Sequence, residues 1–146
     1  MASILVTGGC GYIGSHTVLS LLEKGLNVYV IDSNENSSAL VINRIRDILK
    51  KNKLQLTNNL YFVKGDVRIS DDLEKVFLKA LENDHNIYGV IHFAGLKAVE
   101  ESCNSPLLYW DTNLVGTITL LKVMKKYNCR NLIFSGSATI YSNSIK

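Results

Sequence analysis

Three glycines near the start of the chain have the spacing of a phosphate-binding turn. Gly9, Gly11 and Gly14 follow a short apolar segment and precede an amphipathic one. Glycines at this spacing permit a tight turn, a close approach of the main chain to phosphate oxygens, and close packing of a helix on a strand. The N–H groups and the positive dipole at the start of the following helix favour an anion. The pattern therefore predicts a site for the pyrophosphate of a dinucleotide.

A carboxylate stands at the end of the next apolar segment. Asp32 follows Val28–Ile31 and lies 18 residues beyond Gly14. An acidic side chain there accepts hydrogen bonds from the hydroxyls of an adenosine ribose and repels a 2′-phosphate. Asp32 could instead be a strand-end residue that merely begins a polar loop, but the glycines upstream favour the nucleotide. We therefore expect NAD rather than NADP.

Other candidate site residues follow later apolar segments. Asp66 could accept a hydrogen bond from an adenine amino group, or could be only a turn residue. Ala94 and Gly95 are small enough to leave room for a flat ring or a sugar, and Lys97 could reach a phosphate or stay solvated. His92, inside an apolar run, is predicted to be a buried structural histidine rather than a catalytic one.

The elements that must carry these residues alternate strictly between strand and helix. Apolar runs bounded by glycine and polar residues predict strands over Ser3–Thr7, Asn27–Asp32, Leu60–Lys64, Gly89–Gly95 and Asn131–Ser135. Apolar residues at helical spacing predict helices that end near Lys24, cover Leu40–Lys53, begin at Ser70, and cover Pro106–Lys126. In the last helix we expect Asn113 to face the cleft and a buried stripe formed by Leu107, Trp110, Leu114, Ile118, Leu121 and Met124. The alternation predicts an α/β fold with a doubly wound parallel, Rossmann-like sheet that stops after the fifth strand, with the candidate ligands at its carboxyl edge.

Length and composition limit the class of protein. The 146 residues, 47% hydrophobic and 20% charged, are typical of one globular domain, which we assign to residues 1–146. The formal charge of +3 is small and the basic residues are scattered, which argues against a nucleic-acid partner. Three cysteines without metal-ligand spacing indicate neither a disulfide framework nor a metal site. Because no stretch resembles a membrane span or a signal peptide, we expect a cytoplasmic protein without membrane contact.

Four stretches of the sequence together resemble a known family. Thr7–His16, Gly65–Arg68, Val90–Val99 and Phe134–Tyr141 are similar to motifs of the UDP-glucose 4-epimerases, within the extended short-chain dehydrogenase/reductase family. The similarity runs along nearly the whole chain. The glycine motif is shared across the superfamily, whereas the segment from His92 to Val99 is close to an epimerase signature and differs from sugar-nucleotide dehydratases.

The resemblance implies a hidden redox cycle and assigns roles to individual residues. Tightly held NAD would take a hydride from C4 of the hexose, a tyrosine base would take the 4-hydroxyl proton, and the hydride would return to the other face of the 4-keto sugar. UDP-galactose and UDP-glucose would thereby interconvert, a step of galactose metabolism. The motif match places at the cofactor Gly8, Gly9, Gly11, Tyr12, Ile13, Gly14, Asp32, Ser33, Asn34, Asn36, Ser37, Asp66, Val67, Phe93, Ala94, Gly95, Lys97, Asn113 and Ser135. It assigns Ser137 as the catalytic serine that hydrogen-bonds the reacting hydroxyl, and places Lys97, Ser137 and Thr139 at the UDP-sugar substrate.

The sequence departs from the family pattern at several positions. Ser33 stands where asparagine is usual, Gly136 where serine is usual, and Glu100 and Ser142 where glycine is usual. The family's base and its partner form a Tyr-x-x-x-Lys motif, but four residues after Tyr141 stands isoleucine.

The resemblance and these departures from it together lead to the expected function. We expect the chain to be the N-terminal, NAD-binding part of an epimerase, without the C-terminal substrate domain and inactive alone. Two alternatives stay open: a non-catalytic NAD-binding module or remnant, and another NAD-dependent nucleotide-sugar epimerase or dehydratase. Because the family commonly dimerises through the helix that matches Pro106–Lys126, a homodimer is a further expectation.

Overall fold

A parallel sheet of five strands, with helices on both faces, forms the centre of the structure. The computed structural model describes residues 2–52 and 57–136. Its strands are β1 (Ser3–Thr7), β2 (Asn27–Asp32), β3 (Leu60–Lys64), β4 (Ile87–His92) and β5 (Asn131–Phe134), in the spatial order β3-β2-β1-β4-β5. Every pairing is parallel. The predicted doubly wound α/β arrangement is confirmed.

Helices connect the successive strands. The helices α1 (Tyr12–Glu23), α2 (Leu40–Lys51) and α3 (Ser70–Glu82) follow β1, β2 and β3, and a 3₁₀ turn (Thr57–Asn59) precedes β3. After β4 come α4 (Val99–Asn104), α5 (Pro106–Tyr109), a π-helical segment (Trp110–Val115) and α6 (Gly116–Lys126). Helical backbone angles at the junctions join α5, the π segment and α6 into one rod. No helix in the described ranges is both long and apolar enough to cross a membrane.

Local sequence explains where several elements begin and end. Gly25 has a φ of +79°, which other residues rarely adopt, and its N–H donates to the Leu22 carbonyl at 2.8 Å just past the end of α1. Asp71 and Asp72 lie in the first turn of α3, where the helix dipole favours negative charge. The strand β4 ends at His92, three residues before its predicted end, because the chain there leaves the sheet to form a loop.

Two hydrophobic cores lie on opposite faces of the sheet. Alternate side chains of a strand point to opposite faces, so Leu5 and Tyr29 pack in the core that includes α3 and α6. Val6 and Val30 pack in the core that includes α1 and α2. Every residue of β2 is buried, in agreement with its apolar run Val28–Ile31. These two cores hold the carboxyl ends of the central strands at one edge of the sheet.

The predicted buried stripe of the Pro106–Lys126 rod is wrong for all of its members except Met124. The other five are exposed: Leu107, Trp110, Leu114, Ile118 and Leu121. The buried residues of the π segment and α6 are Thr112, Gly116, Leu120, Val123 and Met124. The rod lies so close to the loop after β3 that a Cβ at Gly116 would stand 2.9 Å from Val67 Cγ2, so a small residue must face inward there. The largest apolar side chains therefore lie on the outer face.

Candidate functional site

A cleft opens at the carboxyl edge of the sheet, where β1 lies between β2 and β4. This is the point at which the strand order reverses, and doubly wound sheets bind ligands there. The cleft has a volume of about 380 Å³. Its lining residues are Gly8, Gly11, Tyr12, Ile13, Gly14, Ile31, Asp32, Ser33, Glu35, Asn36, Gly65, Asp66, Val67, Phe93, Ala94, Gly95, Leu96, Lys97, Thr112 and Ser135.

The glycine turn between β1 and α1 is built from contacts that no side chain would fit. Gly8 has a φ of +67°, and a Cβ on it would lie 2.7 Å from the Ala94 nitrogen. A Cβ on Gly14 would collide with the Gly8 carbonyl oxygen, and one on Gly9 would lie 2.6 Å from Val30 Cγ1. Gly9 therefore packs the turn against β2, whereas Gly8 and Gly14 lie at the cleft.

The start of α1 presents main-chain donors to the cleft. The Ser15 N–H makes the first α-helical bond, to the Gly11 carbonyl at 2.9 Å. The N–H groups of Tyr12, Ile13 and Gly14 precede that bond, and within the described part of the chain the helix start has no side-chain cap. Because an uncapped helix N-terminus leaves its first N–H groups without intrahelical partners, these three residues form a donor set for an anion.

The Asp32 carboxylate lies beside this turn and organises it. Its Oδ2 accepts a hydrogen bond from the Cys10 N–H at 2.9 Å. Its Oδ1 accepts from the Asn34 N–H at 2.9 Å and from the Ser37 hydroxyl at 2.7 Å. Asp32 is 7% exposed, so it reaches the cleft while tying the glycine turn to the loop after β2. Desolvation and the nearby Asp32 charge raise the pKa of the Cys10 thiol to about 11, which keeps this thiol protonated at neutral pH.

A second acidic group lies after β3, and one arginine donates to both of its oxygens. The Asp66 carboxylate accepts from the Arg68 N–H and Nε, each at 2.8 Å. Burial raises the pKa of Asp66, but these hydrogen bonds outweigh it and hold the pKa below its ordinary value. Arg68 also contacts Glu35 at 3.4 Å and Asp111 at 3.2 Å. One guanidinium therefore joins three carboxylates from the β2 loop, the β3 loop and the π segment.

The loop after β4 forms the opposite wall of the cleft. The side chain of Asn113 spans the main chain of Leu96: its Oδ1 accepts from the Leu96 N–H at 2.8 Å and its Nδ2 donates to the Leu96 carbonyl at 3.0 Å. Lys97 Nζ donates to the Phe93 carbonyl at 3.4 Å. His92 is 2% exposed, in agreement with the structural role predicted for it.

The structure brings most of the predicted cofactor residues to one cleft and places four of them behind it. Gly9 packs on β2, Asn34 and Ser37 hold Asp32, and Asn113 holds Leu96, so these four support the lining rather than form it. The predicted Ser137 and Thr139 lie outside the described residues. In the described part of the chain no group of His, Cys, Asp and Glu could hold a metal ion.

Three lining residues were missed by the sequence prediction: Ile31, Gly65 and Thr112. Two more, Glu35 and Leu96, lie within stretches that the resemblance placed at the cofactor, the polar loop from Asp32 through Ser37 and the segment Phe93–Lys97. Gly65 stands beside the predicted Asp66, so its position was signalled although its role was not. Thr112 is buried, and its hydroxyl has no hydrogen-bond partner among the described residues. No sequence signal separates it from its neighbours in the helical rod.

The chain is similar in sequence to a described family and to curated proteins. The family model described as GDP-mannose 4,6 dehydratase matches residues 5–144. A bifunctional UDP-glucose 4-epimerase and UDP-xylose 4-epimerase of Pisum sativum is 50% identical over 98% of this chain and 39% of the relative. UDP-glucose 4-epimerase 2 of Arabidopsis thaliana is 51% identical over 95% of this chain and 37% of the relative. The chain thus spans about two fifths of the length of these curated relatives.

Solved structures give the same result. UDP-glucose 4-epimerase from Bifidobacterium longum, in complex with NAD+ and UDP, aligns with a TM-score of 0.82 and 44% identity, covering 96% of this chain and 38% of its own. UDP-glucose-4-epimerase from Stenotrophomonas maltophila, with bound NAD and formylated UDP-arabinopyranose, aligns with a TM-score of 0.83 and 39% identity, covering 100% of this chain and 40% of its own.

Proposed function

Because this chain belongs to the GDP-mannose 4,6 dehydratase family, we propose that it is the N-terminal, NAD-binding part of a UDP-glucose 4-epimerase, formed by residues 1–146. One observation carries the proposal: an uncapped helix N-terminus and a buried carboxylate lie side by side in a cleft at the switch point of the sheet. The similarity to epimerases at about half identity favours epimerisation over dehydration.

The residues present fit a dinucleotide. The N–H groups of Tyr12, Ile13 and Gly14 would hold the pyrophosphate, since they are the free donors at the start of α1. Asp32 would hold the adenosine ribose, and Asp66 with Val67 would border the adenine. The remaining proposed cofactor contacts, on the opposite wall of the cleft, are Phe93, Ala94, Gly95, Lys97 and Ser135.

The charges at the adenosine end favour NAD over NADP. A carboxylate has about four lone-pair positions, and Asp32 uses three of them within the protein, so Oδ2 keeps a position for a ribose hydroxyl. Glu35 adds a second carboxylate to the same side of the cleft. Arg68 lies next to Glu35 and Asp66 and could attract a 2′-phosphate, but three carboxylates already engage it. A 2′-phosphate would therefore meet net negative charge.

When bound, NAD supplies the acceptor for a hydride from C4 of the sugar. The described residues of this chain bind and orient it, and Ser137 and Thr139, with Lys97, are proposed to contact the sugar nucleotide. The 146 residues contain no Tyr-x-x-x-Lys sequence. Because a general acid–base group contributes typically ~10²- to 10⁴-fold to the rate, we propose that these residues alone do not turn over a UDP-sugar.

We also propose a cellular location, a pathway and an oligomeric state for the protein. We place it in the cytoplasm and in galactose metabolism, with UDP-glucose and UDP-galactose as the substrates of the whole enzyme. We propose a homodimer through the exposed outer face of the rod. Three large side chains of that face, Leu107, Trp110 and Leu114, are 82%, 63% and 46% exposed, and contiguous apolar surface is typical of an interaction site.

Titration of the chain with NAD and NADP tests cofactor binding. We expect NAD to bind more tightly, and Asp32→Ala to weaken NAD binding by about tenfold or more, the effect of losing a hydrogen bond to a charged group. Asp47→Ala removes an exposed carboxylate on α2 and serves as the matched control. Equal affinity for both dinucleotides, or equal effects of the two substitutions, would contradict the ribose assignment.

A coupled assay with UDP-galactose tests the rest of the proposal. A chain that binds NAD but gives no UDP-glucose agrees with the proposed division of the enzyme. Clear turnover would show that no Tyr-x-x-x-Lys base is needed. The alternative of a non-catalytic NAD-binding module predicts NAD binding too, but predicts no gain of activity when the chain is joined to the C-terminal portion of an epimerase relative.

A further inference from the structure

A chain of hydrogen bonds runs beneath the cleft, between the ends of β1 and β4 and the helical rod. Thr7 and His92 are register partners on these two strands, and both are almost completely buried. Thr7 Oγ1 lies 2.6 Å from His92 Nδ1. On the other side of the imidazole, His92 Nε2 lies 3.0 Å from Thr117 Oγ1. Thus one imidazole joins a hydroxyl from the sheet to a hydroxyl from α6.

The neighbouring hydrogen bonds decide which group donates and which accepts at each step of this hydrogen-bond chain. Thr7 Oγ1 accepts from the Ala94 N–H at 3.3 Å, so its own hydrogen is available for His92 Nδ1. The Thr117 hydroxyl donates to the Asn113 carbonyl at 2.6 Å, so its oxygen accepts from His92 Nε2. Only the neutral imidazole with its hydrogen on Nε2 satisfies both neighbours. Burial, and secondarily the charge of Lys97, lower the pKa of His92 to about 4, which keeps it neutral at physiological pH.

The hydrogen-bond chain closes into a ring, called here the hydrogen-bond ring, through the wall of the cleft. It begins at the Ala94 N–H and reaches the Asn113 main chain, and the Asn113 side chain then binds both the N–H and the carbonyl of Leu96. The segment held at both ends is Ala94–Leu96, and all three of its residues line the cleft. Its middle residue, Gly95, has a φ of +154°, and a Cβ there would lie 2.9 Å from Asn113 Oδ1.

We propose that His92 is a positioning residue for the cofactor cleft, which acts through this closed ring to hold the main chain of Ala94–Leu96 in its binding form. The proposal rests on the proposed NAD site. Thr7, His92 and Thr117 are not among the residues that line the cleft, so a change in any of them reaches the ligand through the ring. When this wall of the cleft is ordered before the ligand binds, binding loses less conformational entropy, and the affinity is higher.

Substitutions that remove or keep the hydroxyls test the ring in the full chain. Thr117→Val keeps the shape of the side chain and removes its hydroxyl, whereas Thr117→Ser keeps the hydroxyl. Thr119→Val is the same change two residues along α6, at a hydroxyl outside the ring. We expect Thr117→Val to weaken NAD binding about fivefold, the ratio that one hydrogen bond commonly contributes, and to speed amide exchange at Ala94 and Leu96. We expect Thr117→Ser and Thr119→Val to stay close to the unsubstituted chain. Thr7→Val and Thr7→Ser repeat the test at the other side of His92.

The ¹⁵N shifts of the imidazole in the NAD-free chain give a readout that does not depend on ligand binding. The hydrogen-bond ring predicts a protonated Nε2 and an unprotonated Nδ1 in His92. If the chain fails to bind NAD, the proposed function fails, while these shifts and the exchange rates still decide whether the ring exists. A proton on Nδ1, or equal affinities of Thr117→Val and Thr119→Val for NAD, would overturn the role assigned to His92.

Discussion

Replacing Gly8 with alanine tests how closely the glycine turn is packed against the opposite wall of the cleft. Gly8 and Gly25 both have positive φ, +67° and +79°. A Cβ on Gly8 would lie 2.7 Å from the Ala94 nitrogen, a main-chain atom held by its hydrogen bond to Thr7 Oγ1, whereas a Cβ on Gly25 would meet no atom within 4 Å. The two substitutions therefore share the backbone strain and differ in the steric clash.

The magnitudes follow from these two terms. The left-handed backbone costs an alanine about 1–2 kcal/mol, which is the whole effect expected for Gly25→Ala. Overpacking a rigid site costs a further ~1–3 kcal/mol, so Gly8→Ala is expected to lose about 2–5 kcal/mol of the free energy of unfolding. With a urea m-value of about 2 kcal/mol/M, the unfolding midpoint of Gly8→Ala should lie about 0.5–1.5 M below that of Gly25→Ala.

Equilibrium unfolding in urea, followed by circular dichroism, measures both midpoints under one set of conditions. We also expect Gly8→Ala, and not Gly25→Ala, to weaken NAD binding, because Ala94 must move away from the turn. Equal losses of stability in the two variants would refute the close contact between Gly8 and Ala94. Unaltered NAD affinity in a folded Gly8→Ala protein would refute the role of that contact in the cleft.

Three further predictions concern buried groups. The pKa of His92 is about 4 in the folded chain, against 6.5 for a free histidine, so the unfolded chain takes up a proton at this residue before the folded chain does. The free energy of unfolding should therefore be highest above pH 6.5 and decline by about 3 kcal/mol, because of this group, as the pH falls toward 4. A His92 that titrates near 6.5 by NMR would contradict this. The Thr112 hydroxyl is buried without a partner among the described residues, so Thr112→Val should leave stability unchanged or raise it by about 1 kcal/mol in a thermal or urea unfolding experiment, and a clear loss would reveal a partner for this hydroxyl. Cys103 is exposed whereas Cys10 and Cys129 are buried with raised pKa values, so a thiol reagent at pH 8 should modify one cysteine rapidly, and mass spectrometry that finds Cys10 modified first would refute the packing of the glycine turn.

The sequence predicted the sheet well because its strands are short apolar runs with clear ends. The predicted bounds of Ser3–Thr7, Asn27–Asp32 and Leu60–Lys64 agree with the structure. Glycine or a polar loop follows each of these runs, and burial of β1 and β2 on both faces makes their sequences continuous apolar runs rather than alternating ones. The alternation with helices predicted that the strands pair in parallel, since parallel neighbours need a long, usually helical, connection, whereas the strand order β3-β2-β1-β4-β5 is known only from the structure.

The rod after β4 could not be predicted in the same way. Its sequence offers two apolar faces, and the face with the larger side chains is the exposed one. Contact at Gly116 decides the orientation, and this contact depends on the position of Val67, some fifty residues earlier in the chain. The π-helical bond from the Gly116 N–H to the Asp111 carbonyl adds a residue to one turn, which rotates later side chains by about 100°.

The candidate site shows the same division. Residue types and spacing predicted the glycine turn and Asp32, because a backbone approach to phosphate and a ribose ligand require those types at fixed distances. The support given by Ser37 and Asn113 depends on where loops from different strands meet, as does the contact of Glu35 with Arg68. Such contacts are properties of the folded chain.

The binding of NAD at the start of α1 is the central claim, and an NMR titration of the ¹⁵N-labelled chain with NAD tests it most directly. The account predicts the largest amide shifts at Tyr12, Ile13 and Gly14, because their N–H groups would receive the pyrophosphate. Smaller shifts should follow at Asp32 and Ala94, on either side of the cleft. A titration without shifts at these N–H groups, or with shifts confined to another surface, would contradict the claim.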